Sequence, residues 1–238
     1  MSPEPCSRAT HDNEGEATIL RFARASRVAH WTLAGPFFLL LATGLLLFVP
    51  RAKGISVGSY RLVPLIHVIL GVAFIAGLAA SLVAPPGRSS LYRDLGRLFR
   101  ADLNDAKWLR YAGYALLGAR VKQPPTAKFN AGQKLNTLAS ALFTLGLIAT
   151  GVILTVNFFT KSVFDARFVE RLYPYHDLFM LIAIPVIAGH VYLAAINPGT
   201  RASLRGMLDG HVDRRWAVSH HSKWVDELEA TDTHAADR

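Results

Sequence analysis

Four long stretches of this chain contain no charged side chain: residues 30–50, 62–87, 135–160 and 178–200. A helix of about 20 apolar residues crosses the hydrocarbon core of a bilayer with every backbone donor and acceptor satisfied internally. The spacing predicts membrane spans at about 30–50, 62–86, 135–159 and 176–197. The fold class expected is therefore an all-α membrane protein, a four-helix transmembrane bundle running up-down-up-down. Composition agrees, with 51% hydrophobic residues, 18% charged residues and a mean hydropathy of +0.26; a soluble domain is about a quarter charged. No internal repeat is evident, and no stretch reads as strand-rich.

The connections are polar. Residues 1–18 and 229–238 read as flexible tails around one domain, 19–228. The first apolar run starts too late for a secretory signal. Cys6, the single cysteine, lies in the first tail, so neither an internal disulfide nor an iron–sulfur cluster is housed here, and the absence of C-x-x-C-H excludes covalent c-type haem. Pro85-Pro86 end the second span. In the long middle connection, Leu91, Leu95, Leu98 and Phe99 recur with helical spacing. Asp102 can cap a second piece carrying Trp108, Leu109 and Tyr111. Both pieces read as short amphipathic helices on a membrane surface, or packed on a soluble partner. A loop broken by Pro124-Pro125 follows and contains Gly132.

The formal net charge of +9 would suggest nucleic acid in a soluble protein, but no such motif is present. Twenty of the 26 Lys and Arg lie before the first span, in the middle connection or after the fourth span, and six in the two short links. The positive-inside rule then places both termini and the middle connection in the cytoplasm. Pro36 lies in the first turns of the first span, where proline costs least.

Histidines at membrane depth are expensive and point to function. His30 stands at the cytoplasmic start of the first span, and His67 near the outer start of the second. His176 stands at the outer start of the fourth, and His190 about 21 Å deeper on nearly the same helix face. Two levels follow, pairing His30 with His190 and His67 with His176. Opposed imidazoles in a bundle suit the two axial positions of a b-type haem. Gly35, Gly71, Gly77 and Gly189 would give a macrocycle room, or serve close helix packing. Each histidine alone also fits a wetted interfacial residue. Tetrahedral zinc fits less well, because it wants further ligands nearby.

Several motifs carry a resemblance. They are R-x-x-H-W at residues 27–31, T-G-L at 43–45, K-F-N-A-G-Q-K at 128–134, G-H-V-Y at 189–192, and the segment 207–224 with its W-A-x-x-H-H. Over roughly residues 20–228 the chain resembles the cytochrome b (gamma) subunit of respiratory, membrane-bound formate dehydrogenase. The resemblance implies two haem b groups in a bacterial inner membrane. His67 and His176 would ligate the periplasmic-side haem, and His30 and His190 the cytoplasmic-side one. It implies an iron–sulfur (beta) subunit as electron donor and, behind it, a molybdenum or tungsten catalytic (alpha) subunit that oxidises formate. It further implies reduction of a quinone, ubiquinone or menaquinone, in a cytoplasmic-side pocket formed by Asn130, Gly132 and His190. Asn130 can hydrogen-bond a quinone carbonyl and Gly132 permits close backbone approach; the same two residues also suit a helix cap. Arg27 is a candidate partner for a haem propionate, or a positive-inside anchor. His220 and His221 read as inner-surface or proton-relay residues, or as solvated tail; His11 and His234 read as incidental. The alternatives are a cytochrome b subunit of a hydrogenase or another molybdoenzyme, a histidine-relay proton transporter, and a bare membrane anchor.

Overall fold

The computed structural model describes residues 17–83, 88–121, 124–160 and 163–236. Cys6, His11, most of the N-terminal tail, Pro85-Pro86 and the side chain of His234 lie outside the described residues.

The chain begins with strand β1 (Thr18–Leu20) and helix α1 (Arg24–Leu46). A short turn of helix, α2 (Pro50–Lys53), and a two-stranded ribbon, β2 (Ser56–Val57) with β3 (Tyr60–Arg61), lead into α3 (Leu62–Val83). Gly58, at φ +59, makes the ribbon's turn with a backbone that favours glycine. Helices α4 (Arg88–Phe99) and α5 (Leu103–Leu116) occupy the middle connection. Helix α6 (Ala131–Thr160) and α7 (Ala166–Val191) follow, and α7 continues into a π-helical turn over Tyr192–Ile196. The chain ends with α8 (Ser203–Leu208), β4 (His211–Asp213) and α9 (Arg214–Ala236). It forms two units. A bundle unit comprises Ala25–Arg88 and Ala139–Ala188; a terminal unit comprises Met1–Arg24, Ser89–Leu138 and Gly189–Arg238.

Among the described residues four helices are long and apolar enough to cross a membrane. Only 6–11% of each span is buried within the protein, and many apolar side chains are exposed, where lipid suits them and water would not. Leu39, Ile69, Val72, Leu142, Leu145 and Leu181 are among those exposed. Inside the bundle unit the helices touch through small residues and aromatic rings. Thr32 of α1 meets Gly77 of α3, and Thr43 meets His67, which makes α1 and α3 antiparallel. Gly146 and Gly151 of α6 meet Phe179 and His176 of α7, so this pair is antiparallel too. Phe37 stacks at a tilt on the buried Phe143, linking α1 to α6. The up-down-up-down expectation is what the contacts show.

One sequence expectation is corrected. Helix α1 begins at Arg24, before the uncharged run, so Pro36 sits in the helix interior rather than its first turns; α7 likewise contains Pro174 and Pro185. Spanning helices tolerate such prolines because neighbouring helices and local adjustments take up the freed backbone groups. Short strands also exist. In the terminal unit β1 pairs antiparallel with β4, with Ile19 opposite Val212. This ribbon closes a small core of Val212, Ala217, Trp224 and Val225, flanked by Ile19, Trp216 and Leu228. Pairs of two or three residues are too short to leave a period in the sequence.

The middle connection is helical as the spacing predicts. Leu91 is buried on α4, while Tyr92 and Phe99 are exposed. Asp102 caps α5 by accepting from the backbone N–H of Asn104, and Asp105 reciprocates toward the Asp102 N–H at 2.7 Å. Those bonds from Asn104 hold the exposed Asp102 carboxyl below its ordinary range.

Candidate functional site

In the bundle unit His67 and His176 face one another. Their ring centres are 6.3 Å apart and their planes 80° from parallel. The Nδ1 of His67 lies 2.8 Å from Thr43 Oγ1, and the Nδ1 of His176 lies 2.7 Å from Thr150 Oγ1. Each hydroxyl donates its own proton to a carbonyl one turn back: Thr43 to Leu39 O at 2.8 Å, Thr150 to Gly146 O at 2.7 Å. With that proton on the backbone, each oxygen is placed to accept from an Nδ1–H. In that tautomer the Nε2 lone pair is the one that binds a metal.

The separation fits a metal between the rings. An imidazole nitrogen lies about 1.1 Å from its ring centre and bonds a metal at about 2.0 Å, so two coaxial ligands have ring centres about 6 Å apart. Glycines stand beside both rings. A Cβ on Gly44 would lie 3.5 Å from His67 Cε1 and 3.4 Å from Met180 Sδ; a Cβ on Gly151 would lie 3.3 Å from His176 Cε1. The residues present therefore suit a group held by two opposed imidazoles, as in bis-histidine haem. Among the described residues no cluster of three or more His, Cys, Asp or Glu forms, whereas tetrahedral zinc needs three or four protein ligands.

The other predicted residues fall elsewhere. His30 lies on α1 in the bundle unit, half-buried, with its ring edge-on to Trp31 at 5.0 Å. Arg27 is half-buried one turn before it. His190 lies near the end of α7 in the terminal unit, just before the π-helical turn. Such turns occur often at functional sites. Among the glycines, Gly77 is explained by packing, because its Cβ would meet Thr32 Cγ2 at 3.0 Å. Gly35, Gly71 and Gly189 have open space on that side.

Asn130 is a helix cap. Its Oδ1 accepts from Gln133 N–H at 2.9 Å, and Gln133 Oε1 accepts from Asn130 N–H at 3.0 Å. This capping box starts α6 and commits only the oxygen of the amide, leaving the two N–H donors of Nδ2 uncommitted by it. Gly132 makes room for Trp108, whose ring would lie 3.0 Å from a Cβ there. One turn on, Lys134 pairs with Asp105 at 2.8 Å.

The segment before Asn130 is fixed by groups that sequence reasoning undervalued. His221 is 2% exposed, not a solvated tail residue. Its Nδ1–H donates to Ala127 O at 2.8 Å, and its Nε2 accepts from Arg21 Nη2 at 2.9 Å. The same Nη2 donates to Lys128 O at 3.1 Å. Thr126 donates to His220 O, and Lys128 pairs with the buried Asp94 at 2.5 Å. Arg21 lies against the rings of Phe22, Trp216 and Trp224. Burial lowers Arg21 to about 10, with Asp94 opposing the shift. Burial also lowers Lys128. It lowers His221 to about 3, helped by the adjacent Arg21 charge, so this ring is neutral at physiological pH. His220 is exposed and stacks on Trp216, ring centres 4.8 Å apart.

The sequence profile of the family described as prokaryotic cytochrome b561 matches residues 21–210. The chain is 29% identical over 213 residues to the cytochrome b556(Fdn) subunit of nitrate-inducible formate dehydrogenase from Escherichia coli (strain K12), covering 89% of this chain and 92% of that one. It is 26% identical over 215 residues to the formate dehydrogenase cytochrome b556 subunit of Haemophilus influenzae, covering 89% and 84%. It is 26% identical over 216 residues to the cytochrome b556(fdo) subunit of E. coli formate dehydrogenase, covering 90% and 95%.

Proposed function

The chain belongs to the prokaryotic cytochrome b561 family, and we propose that it is the membrane cytochrome b subunit of a formate dehydrogenase, carrying electrons through two b haems to a quinone. The observation that carries this reading is the His67–His176 pair, 6.3 Å between ring centres with each Nδ1 beside a threonine hydroxyl. Bound haem supplies an iron that takes up and releases one electron at a time.

His67 and His176 hold the haem on the periplasmic side, and His30 and His190 hold the one on the cytoplasmic side. The second pairing rests on the sequence argument of depth and face. Electrons arrive from an iron–sulfur subunit that serves a molybdenum or tungsten formate-oxidising subunit; the names of the relatives support this assignment. No residue of this chain is assigned to formate oxidation. At the cytoplasmic side Asn130, Gly132 and His190 bind the quinone, with the Asn130 amide donating to a carbonyl oxygen. Arg27, one turn from His30, neutralises a propionate. Charge counting supports a multi-pass protein of the inner membrane with both termini in the cytoplasm.

The reading is tested with the complex in its own membrane. Formate should reduce a b-type spectrum in full, and a quinone analogue should block reoxidation. Reduction by hydrogen instead of formate would transfer the chain to a hydrogenase. A haem-free protein from haem-replete cells would remove the electron-transfer reading altogether and leave a proton relay or an anchor.

A further inference from the structure

The two hairpins of the bundle unit share a pattern that hydropathy hides. In α1 and α3, Thr43-Gly44 is followed by His67, 24 residues after the threonine; in α6 and α7, Thr150-Gly151 is followed by His176, 26 residues after. The geometry is duplicated with the spacing. Both hydroxyls donate back along their own helix, at 2.8 and 2.7 Å, and both receive an Nδ1 at the same two distances. In both hairpins the next residue is a glycine whose Cβ would meet the histidine's Cε1, at 3.5 and 3.3 Å.

We propose that Thr43 and Thr150 are equivalent positioning residues for a single haem, each fixing the tautomer, rotation and electron donation of one axial histidine. The inference rests on the haem reading above. A threonine in a helix satisfies its hydroxyl on the preceding turn; with its only proton committed there, the oxygen can act toward the ring only as an acceptor. An imidazole opposite that oxygen carries its proton on Nδ1 and presents Nε2 to the iron. Outer partners of this kind orient a ligating histidine and raise its basicity. A more basic ligand favours ferric over ferrous iron, so both threonines hold the midpoint potential of this haem down. The following glycine lies beside the ring edge in both hairpins; an added Cβ would crowd the ring at Gly151, at 3.3 Å, and make an ordinary contact at Gly44, at 3.5 Å. The threonine hydroxyl thus acts as one device used twice, once in each hairpin.

The experiment uses the purified complex with both haems, comparing wild type with T43V, T150V, T43S and T150S by redox titration and by EPR of the oxidised low-spin haems. Each valine variant should shift one and the same haem to a higher midpoint and alter its g-values, leaving the other haem unmoved. Each serine variant should restore wild-type behaviour. If a valine variant loses that one haem while its serine counterpart keeps it, the hydroxyl is again assigned and the proposal stands. It is overturned if both valine variants titrate as wild type, if the two valines perturb different haems, or if serine fails as valine does, which would assign the role to the methyl group. A wild-type complex without b haem would instead sink the parent reading, and so the two failures are distinguishable.

Discussion

At His221 the backbone leaves helical geometry (φ −141, ψ 44) and breaks α9 into two pieces. The ring turns inward, where Arg21 and Ala127 O take both nitrogens. This has a consequence in pH. Its folded value of about 3 lies below the ordinary 6.5, so the unfolded chain binds the proton first. The stability contributed by His221 is complete above about pH 6.5, and declines as pH falls from there toward about 3. H221N, neutral throughout, should unfold with a smaller stability loss between about pH 7.5 and about pH 5 than wild type, measured by denaturant titration of Trp fluorescence. Equal losses would show that the buried imidazole does not report on this unit. The sequence offered the adjacent His220 and His221 and no way to see which one was buried, because the arginine that receives it stands 200 residues away. His67 and His176 were legible as ionisable groups in apolar runs. Thr43 and Thr150 were not, since a threonine in a spanning helix needs no partner beyond its own backbone. The recurrence of Thr-Gly before a histidine in each hairpin was the available signal.

The four spanning helices were legible because uncharged runs of their length have few alternatives in water or lipid. Their ends were less so. Helix α7 begins at Ala166, well before the apolar run, because a backbone hydrogen bond from Val169 to Asp165 and the Asp165 side chain on Phe168 N–H start it in polar sequence. The packing glycines also escaped composition. A Cβ on Gly146 would lie 2.5 Å from Phe179 ring atoms, so the α6–α7 pair depends on its absence. G146A forces the ring or the helix aside, at about 1–3 kcal/mol for overpacking. The haem b spectrum of this variant should collapse at a lower temperature than that of wild type; an unchanged midpoint would mean that Phe179 has room to swing away. Asn130 illustrates the opposite case, since the sequence left open whether it caps a helix or binds a ligand. It caps α6 through one oxygen, which does not consume the donors that the proposed quinone contact uses.

At the scale of the whole molecule the chain is a multi-pass membrane cytochrome b with His30, His67, His176 and His190 within its apolar helices. Charge asymmetry predicts the topology: cysteine tags at either terminus should be labelled only after the inner membrane is permeabilised, and a tag in the 56–61 ribbon should be labelled without it. Reversed labelling would exchange the inner and outer haems of the proposal while leaving the ligand pairs intact. The pairs are the central claim, and haem stoichiometry tests them most directly. Purified wild-type complex should carry two haem b per chain, and H67A, H176A and the double variant should each carry one, with the same spectral component missing from all three. A double variant that lost both haems, or single variants that lost different components, would contradict the pairing of His67 with His176.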